Sequence, residues 1–288
     1  MRPQQPIQRV CRGCARDTSH SFCYLKSGFE IRRCDACGVG WTAICEDFDP
    51  AAIYSEDYFE GGRGDGYADY GRTEKVLRRE FRAVLRKLGR VRPLGGKLVE
   101  IGSAYGYFLL EAQRYFEARG IEVSPSAVEY ARGRGVQCVQ GEVSDSLLDP
   151  CGPIDVAVML DVIEHLPSPR EVLSKLHAHM RPGGHLVITT GDWGSVYSRL
   201  AGKSWRLMTP PQHLFFFTRK SMCEMLRAAG FKVVSLSRPT KLVPVSLILF
   251  QLGRLIRNKP FTVRGLSGAG IPVNLFDSMR VIAEREDG

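Results

Sequence analysis

The chain has 288 residues, 40 basic against 31 acidic side chains, and a formal charge of +9. With 44% apolar and 25% charged residues it can bury a real core, which excludes global disorder and fits one large α/β domain with an appendage, or two modest domains. No run is apolar over the roughly 18 residues that a membrane span needs, and the opening MRPQQPIQRV has no signal core, so a cytoplasmic protein is expected.

Nine cysteines in such a compartment speak for metal or burial, not for disulfides. Four of them form two C-x-x-C pairs, Cys11-Arg-Gly-Cys14 and Cys34-Asp-Ala-Cys37, separated by 19 residues. Two such knuckles bring four thiolates around one ion and leave no open position. Cys11, Cys14, Cys34 and Cys37 are therefore expected to hold a structural Zn2+ in a small ribbon over residues 1–55. Phe29-Glu30-Ile31 reads as a strand of that ribbon. Cys23, Cys45, Cys138, Cys151 and Cys223 lack ligand spacing and read as small buried hydrophobes.

Residues 56–92 read as a connector and a basic helix. Val76, Leu77, Phe81, Val84, Leu85 and Leu88 form its apolar stripe. Its arginines, between Arg72 and Arg92, are read as a solvated face in preference to a phosphate or nucleic-acid patch. From Lys97 the chain alternates. Leu98–Ile101 is a strand, and a helix is predicted from Tyr107 to Arg119, stopping at Gly120. Ile121–Val123 is the next strand, with Ser124 as N-cap and Pro125 as first residue of the helix after it. Ile154–Leu160 is a continuous apolar run, as in a strand buried on both faces. Val172, Leu173, Leu176 and Met180 share a helix face that Pro182-Gly183-Gly184 should end, before a strand over His185–Thr190. Met222, Met225, Leu226 and Ala229 mark a helix capped by Gly230, and Phe231–Leu236 is a strand. The pattern predicts a doubly wound α/β domain over 93–288, with insertions at 191–218 and 240–275. In the second insertion Leu242–Ile256 reads as a buried helix, with peripheral membrane contact as the alternative.

The first strand runs into Glu100-Ile-Gly102-Ser103-Ala104-Tyr105-Gly106. A dinucleotide fingerprint needs a third glycine where Tyr107 stands, so that match fails. Small residues at 102, 104 and 106, with a carboxylate two places earlier, resemble motif I of the class I S-adenosyl-L-methionine (SAM) methyltransferases, with Ala104 in place of the middle glycine. Glu122 resembles the carboxylate that receives the ribose hydroxyls, and Gly141-Glu142-Val143 the adenine loop. Asp155–Leu166 resembles the fourth strand and its turn, and Arg181-Pro-Gly-Gly184 the entry to the fifth. Thr209–Thr218, followed by the helix ending Ala229-Gly230-Phe231, narrows the resemblance to the methyltransferase-23 group, related to ubiquinone-pathway O-methyltransferases. It covers about residues 97–238, with Ser278–Arg285 as the closing antiparallel strand.

The resemblance implies a Rossmann-like class I methyltransferase sheet behind a small N-terminal zinc ribbon. It implies SAM held by Tyr70, Glu100, Gly102, Ser103, Gly106, Tyr107, Glu122, Val123, Glu142, Val143, Leu160 and Asp161, with Tyr58 and Tyr67 beside Tyr70. N-terminal ribbons of this kind resemble those on methyltransferases of bacterial polysaccharide and secondary-metabolite pathways. The acceptor is accordingly expected to be a small-molecule, sugar or lipid-linked intermediate, with or without a phosphate. His213 is the candidate general base, the alternative being that it only shapes the pocket. Trp193, Trp205 and Phe215–Phe217 line the acceptor side or simply pack. Asp161, Glu164 and His165 are a conceivable Mg2+ set, though the preferred reading is that they hold a turn. Two further readings stay open: an RNA methyltransferase gripping RNA with the ribbon and basic helix, and a non-catalytic SAM-fold interaction protein. Against the first stands Leu160-Asp161-Val162-Ile163, where base methylation would call for N-P-P-[YF].

Overall fold

The computed structural model describes residues 10–44, 73–244 and 270–287. Strands β1 (His20–Lys26), β2 (Phe29–Cys34) and β3 (Gly40–Thr42) come first, then helix α1 (Glu74–Leu88). The alternating part comprises β4 (Lys97–Ile101), α2 (Tyr107–Ala112), β5 (Glu117–Glu122), α3 (Pro125–Gly133), β6 (Gln137–Gln140), α4 (Asp145–Leu148), β7 (Ile154–Leu160), α5 (Pro169–His179) and β8 (Met180–Gly191). After it come α6 (Val196–Ala201), β9 (Phe215–Phe216), α7 (Arg219–Ala228), β10 (Phe231–Ser237), β11 (Lys241–Pro244), β12 (Gly270–Val273) and β13 (Ser278–Arg285).

Seven strands form the main sheet in the order β10-β13-β8-β7-β4-β5-β6, and β13 runs antiparallel to both neighbours, as expected for the closing strand. The apolar run Ile154–Leu160 lies in the middle, parallel to β4 and β8. Alternation along it feeds two cores. Ala157 and Met159 join Leu173, Leu176, Met222 and Met225 under α5 and α7, while Val156 and Val158 join Val84, Leu85, Phe108 and Leu109 under α1 and α2. Ser124 caps α3 through its hydroxyl, which accepts from the Ala127 N–H at 3.4 Å, with Pro125 next, as the sequence predicted.

Two boundaries differ from expectation. The helix after motif I ends at Ala112, and Gly120 lies inside β5 instead of stopping a helix. Close packing is the reason: a Cβ at Gly120 would stand 2.7 Å from the Ser103 Cβ and 2.8 Å from Leu109 Cδ1. Likewise α5 ends at His179, and Met180 already pairs with Ile154. Arg181–Gly184 is an excursion of β8 before His185 rejoins opposite Val156.

A second sheet has the order β1-β2-β3-β9, so the cysteine ribbon is completed by Phe215–Phe216 from the segment between β8 and α7. Cys11, Cys34, Cys37 and Val39 belong to the same apolar cluster as Leu214, Phe215 and Phe217. The sheet thus crosses from residues 1–55 into the 191–218 insertion. Within 240–275, β11 and β12 pair antiparallel, so the helix expected over Leu242–Ile256 is replaced at Leu242–Pro244 by a strand whose backbone pairs with Gly270–Pro272. Cys45, Tyr54–Tyr70 and the run from 245 to Ile256 lie outside the described residues. Among the described residues no helix is long and apolar enough to cross a membrane.

Candidate functional site

Around the cysteines, the Sγ atoms of Cys11, Cys14, Cys34 and Cys37 all lie within 4.8 Å of one another. Cys11 and Cys37 approach to 3.8 Å, and Cys14 and Cys34 to 3.9 Å. Thiolates on a tetrahedral zinc, each at about 2.3 Å, stand about 3.8 Å apart, so the cluster fits the ion. Backbone N–H groups of Gly13 and Cys37 donate to the Cys11 and Cys34 sulfurs at 3.3 and 3.4 Å, which favours thiolates. Left to themselves the sulfurs share protons unevenly. The contact with Cys37 draws the Cys11 thiol down to about 4, and the same contact, with burial, pushes Cys37 up. A metal would replace those protons.

The cofactor-type turn sits at the carboxyl ends of β4, β5 and β7, where the strand order reverses. Gly102, Ala104 and Gly106 take positive φ of 69°, 46° and 73°. A Cβ on Gly102 would meet Val162 Cγ2 at 2.6 Å. Glu122 clamps the turn: its carboxylate accepts from the N–H groups of Ala104 at 2.8 Å and Ser124 at 2.9 Å. Burial still pushes its pKa up against those bonds. Two lone-pair sites remain for hydroxyl donors. Glu100 is 3% exposed, its Oε2 has no hydrogen-bond partner, and burial followed by the Glu122 charge pushes it well up. An orphaned carboxylate oxygen beside a second acid suits a cationic ligand with a ribose, and SAM carries both features.

The other expected cofactor residues divide. Val123, Val143 and Leu160 are half-buried, and Glu142 is exposed. The Ser103 hydroxyl pairs with the Cys138 thiol at 3.2 Å, and Tyr107 is buried with its Oη 3.4 Å from that of Tyr130. Both side chains brace the turn from behind. Asp161, at φ +56°, accepts from Lys241 Nζ at 2.6 Å; burial opposes its charge but the ammonium outweighs it and lowers the pKa. Tyr70 lies outside the described residues.

Beyond β7, Glu164, His165 and His213 converge, each offering an atom within 4.8 Å of the others. The His165 Nδ1–H donates to the Gln212 carbonyl at 2.9 Å, which leaves Nε2 with its lone pair, and its ring meets that of His213 edge-on at 4.6 Å. Burial and then the His165 ring hold His213 down to about 3. Burial and then the Asp161 charge push Glu164 up to about 8, and its Oε2 has no partner. The structure therefore does not assemble Asp161, Glu164 and His165 as one set. Asp161 is engaged by Lys241, and His213 takes the third place. Two imidazoles and one carboxylate suit a transition metal better than Mg2+.

Thr42 was not foreseen. Its Oγ1 donates to the His213 carbonyl at 2.6 Å and its N–H to the Leu214 carbonyl at 2.9 Å, while the Leu214 N–H donates to the Glu164 carbonyl at 2.9 Å. The end of the cysteine ribbon and the turn after β7 thus grip His213 from two sides. Lys241, which also lies 3.2 Å from Glu80, was equally invisible. Phe215–Phe217 and Trp205 are buried, and the Trp205 Nε1–H donates to Asp277 at 2.9 Å, so these aromatics pack. The basic helix is tied to its neighbours: Arg78 bonds Glu111 of α2 at 2.6 Å and Glu74 at 3.0 Å, Arg82 reaches Glu111, and Arg134 of the α3 end reaches Glu74.

Residues 73–236 match the profile of the methyltransferase-23 family, a methyltransferase domain. Over 157 residues the chain is 28% identical to a ubiquinone biosynthesis O-methyltransferase of Cupriavidus pinatubonensis, covering 49% of this chain and 62% of that protein's length. Over 174 residues it is 25% identical to a tRNA N(3)-methylcytidine methyltransferase of Schizosaccharomyces pombe, covering 51% and 68%. Magnesium protoporphyrin IX methyltransferase from Synechocystis, solved with bound SAH, superposes with a TM-score of 0.51 at 14% identity, covering 83% of this chain and 100% of that one, a likeness of fold.

Proposed function

Because the chain belongs to the methyltransferase-23 family and is a SAM-dependent methyltransferase, we propose that it methylates a small-molecule, sugar or lipid-linked biosynthetic intermediate. The observation that carries this reading is the position of the Glu164–His165–His213 group, its carboxylate buried and its two imidazoles half-buried, on the same rim as the turn clamped by Glu122. A recessed cluster of this kind admits a small acceptor more readily than a folded RNA. Glu122 would take the ribose hydroxyls on its spare lone pairs, the unpartnered Oε2 of Glu100 would offer a further hydrogen bond, and Gly102 and Gly106 would let the backbone approach. Bound SAM supplies an electrophilic methyl group for in-line displacement. The protein's share is to align the acceptor, exclude water and receive a proton.

For a hydroxyl acceptor His213 receives that proton. With its pKa held down to about 3 the imidazole is neutral but only weakly basic, so it needs an anion beside it to stabilise the proton it receives. Glu164 becomes anionic only through about pH 8 and then supports a positive imidazole, so turnover should climb toward that pH. The ribbon, with zinc on its four cysteines, holds the His213 segment. The tRNA relative favours a second reading, an RNA acceptor. The pairing of Arg78 and Arg134 with Glu111 and Glu74 weighs against it, since those two charges are already engaged.

The test is calorimetry with SAM followed by a tritiated-methyl screen over acceptor pools. Transfer to small molecules, abolished by His213→Gln with SAM affinity intact, is the expected result. Transfer to RNA alone, or normal turnover in the variant, refutes the acceptor class or the base.

A further inference from the structure

We propose that Arg280 anchors an anionic group of the acceptor, a carboxylate or a phosphate; the idea rests on the reading above that this rim receives an acceptor. Arg280 lies on β13 with Thr189 of β8 on one side and Ser237 of β10 on the other. Its strand neighbours Met279, Val281, Ile282 and Ala283 are all buried apolar residues, and Arg280 itself is only 7% exposed. Strand alternation puts it with Ile282 on the α1 face of the sheet, away from α7.

Its guanidinium has no hydrogen-bond or ion-pair partner among the described residues, and its Nε is fully enclosed without an acceptor. Arginine cannot escape by losing its proton, as a buried lysine can, although burial pushes in that direction. The Nε–H is thus held in the interior with nothing to receive it, and the two terminal nitrogens of the rigid fork have no acceptor among the described residues. By contrast Arg206 donates through two nitrogens to Asp277, just before β13, at 2.9 and 3.0 Å.

The carboxylates whose charges reach Arg280 are Glu80 of α1 and Asp161 at the end of β7, and both are engaged elsewhere. Lys241 binds Asp161 at 2.6 Å and Glu80 at 3.2 Å, and Glu80 also accepts from the Leu242 N–H at 3.2 Å. Among the described residues no acceptor remains for the fork, which leaves it open to an anion from outside. The planar fork matches the paired oxygens of a carboxylate or phosphate.

Register locates that acceptor. Arg280 stands opposite Thr189, and Thr189 opposite Leu160, one residue before Asp161 and the turn to Glu164. Two strand spacings separate β13 from β7, about 10 Å, and three separate it from β4 and its cofactor turn, about 14 Å. An anion on Arg280 therefore belongs to a molecule reaching toward the Glu164–His213 group and not to the methionine carboxylate of SAM.

The experiment uses the full zinc-loaded chain with inorganic phosphate and acetate as probes at constant ionic strength. Wild type, Arg280→Lys and Arg280→Met are compared by calorimetry and thermal midpoint, with SAM affinity measured in parallel. The expected result is phosphate or acetate binding that weakens at least about tenfold in Arg280→Met and partly recovers in Arg280→Lys, while SAM affinity stays within about twofold. The ligand-free midpoint of Arg280→Met should equal or exceed that of wild type, because an unpaired buried charge has gone. Equal anion binding in all three proteins overturns the proposal. Loss of SAM affinity with anion binding retained assigns Arg280 to the cofactor and also overturns it. A large midpoint drop in both variants would make Arg280 a structural cation. If wild type binds SAM but neither anion, this inference falls and the methyltransferase reading stands. If it binds the anions but no SAM, the acceptor assignment falls together with that reading.

Discussion

Replacing Thr42 by valine removes one hydroxyl and little else. The residue is 2% exposed, its Oγ1 donates to the His213 carbonyl at 2.6 Å, and its backbone N–H would keep the Leu214 carbonyl at 2.9 Å. Valine fills nearly the same space but leaves the His213 carbonyl without that donor, at a cost of about 1–3 kcal/mol. The loss has few places to spread, because β3 pairs with β9 only at Gly40–Phe216 and Trp41–Phe215. Part of it should therefore appear as freedom of the His213 segment. Urea unfolding is expected to show a loss of about 1–3 kcal/mol. In NMR titrations the His213 imidazole should move from about 3 toward its ordinary 6.5 by about a unit or more, as water reaches the ring. SAM affinity by calorimetry should hold within about twofold, since Glu122 and the Gly102–Gly106 turn hang on β4 and β5. With an acceptor in hand, each 1.4 kcal/mol or so of misplacement costs about tenfold in kcat. Lower stability with an unchanged His213 titration would refute the idea that the ribbon sets this residue's environment.

Stability should peak between pH 4.5 and 6.5 with respect to two opposed groups. His213 titrates near 3 in the fold against an ordinary 6.5, so the unfolded chain binds the extra proton in that window and stability is lost as pH falls below 6.5. Glu164 titrates near 8 against an ordinary 4.5, so the folded state holds the extra proton and stability is lost as pH rises from 4.5 to 8. Thermal midpoints should show His213→Gln flattening the acid limb and Glu164→Gln the alkaline one. Stripping zinc with a strong chelator should open residues 10–44 and the His213 segment to hydrogen exchange while SAM affinity survives, because thiolate zinc sites supply about 10–16 kcal/mol in small domains. Unchanged exchange there would contradict the metal assignment. Ala104→Gly should be neutral or stabilising in urea: a left-handed alanine at φ +46° costs about 1–2 kcal/mol, against about 0.4–1 kcal/mol of added unfolded-state freedom for glycine. A loss above about 1 kcal/mol would contradict the strained turn.

The features readable in the sequence were those that neighbouring residues determine. Ile154–Leu160 is a buried strand because nearly every side chain in it is apolar. Ser124-Pro125 starts a helix because hydroxyl and ring satisfy the conditions at its first turn, and the paired C-x-x-C knuckles meet because each turn is closed by its own backbone. The spacing of Glu100, Gly102, Ala104 and Gly106 belongs to the same class, since a strand-to-helix turn dictates it locally. Gly120 misled because its missing Cβ serves Ser103 and Leu109 across the sheet, and Met180 because its strand partner Ile154 outweighs its place on a helix face. The surroundings of Glu164, His213 and Asp161 were decided only by tertiary structure. Thr42 meets His213 across 171 residues, Lys241 meets Asp161 across 80, and Arg280 is enclosed by α1 and β8 without any local pattern marking it. Periodicity and capping act over one or two turns of chain. Which distant hydroxyl, ammonium or guanidinium arrives at a strand end depends on the order in which strands pair, and that order is a property of the whole fold.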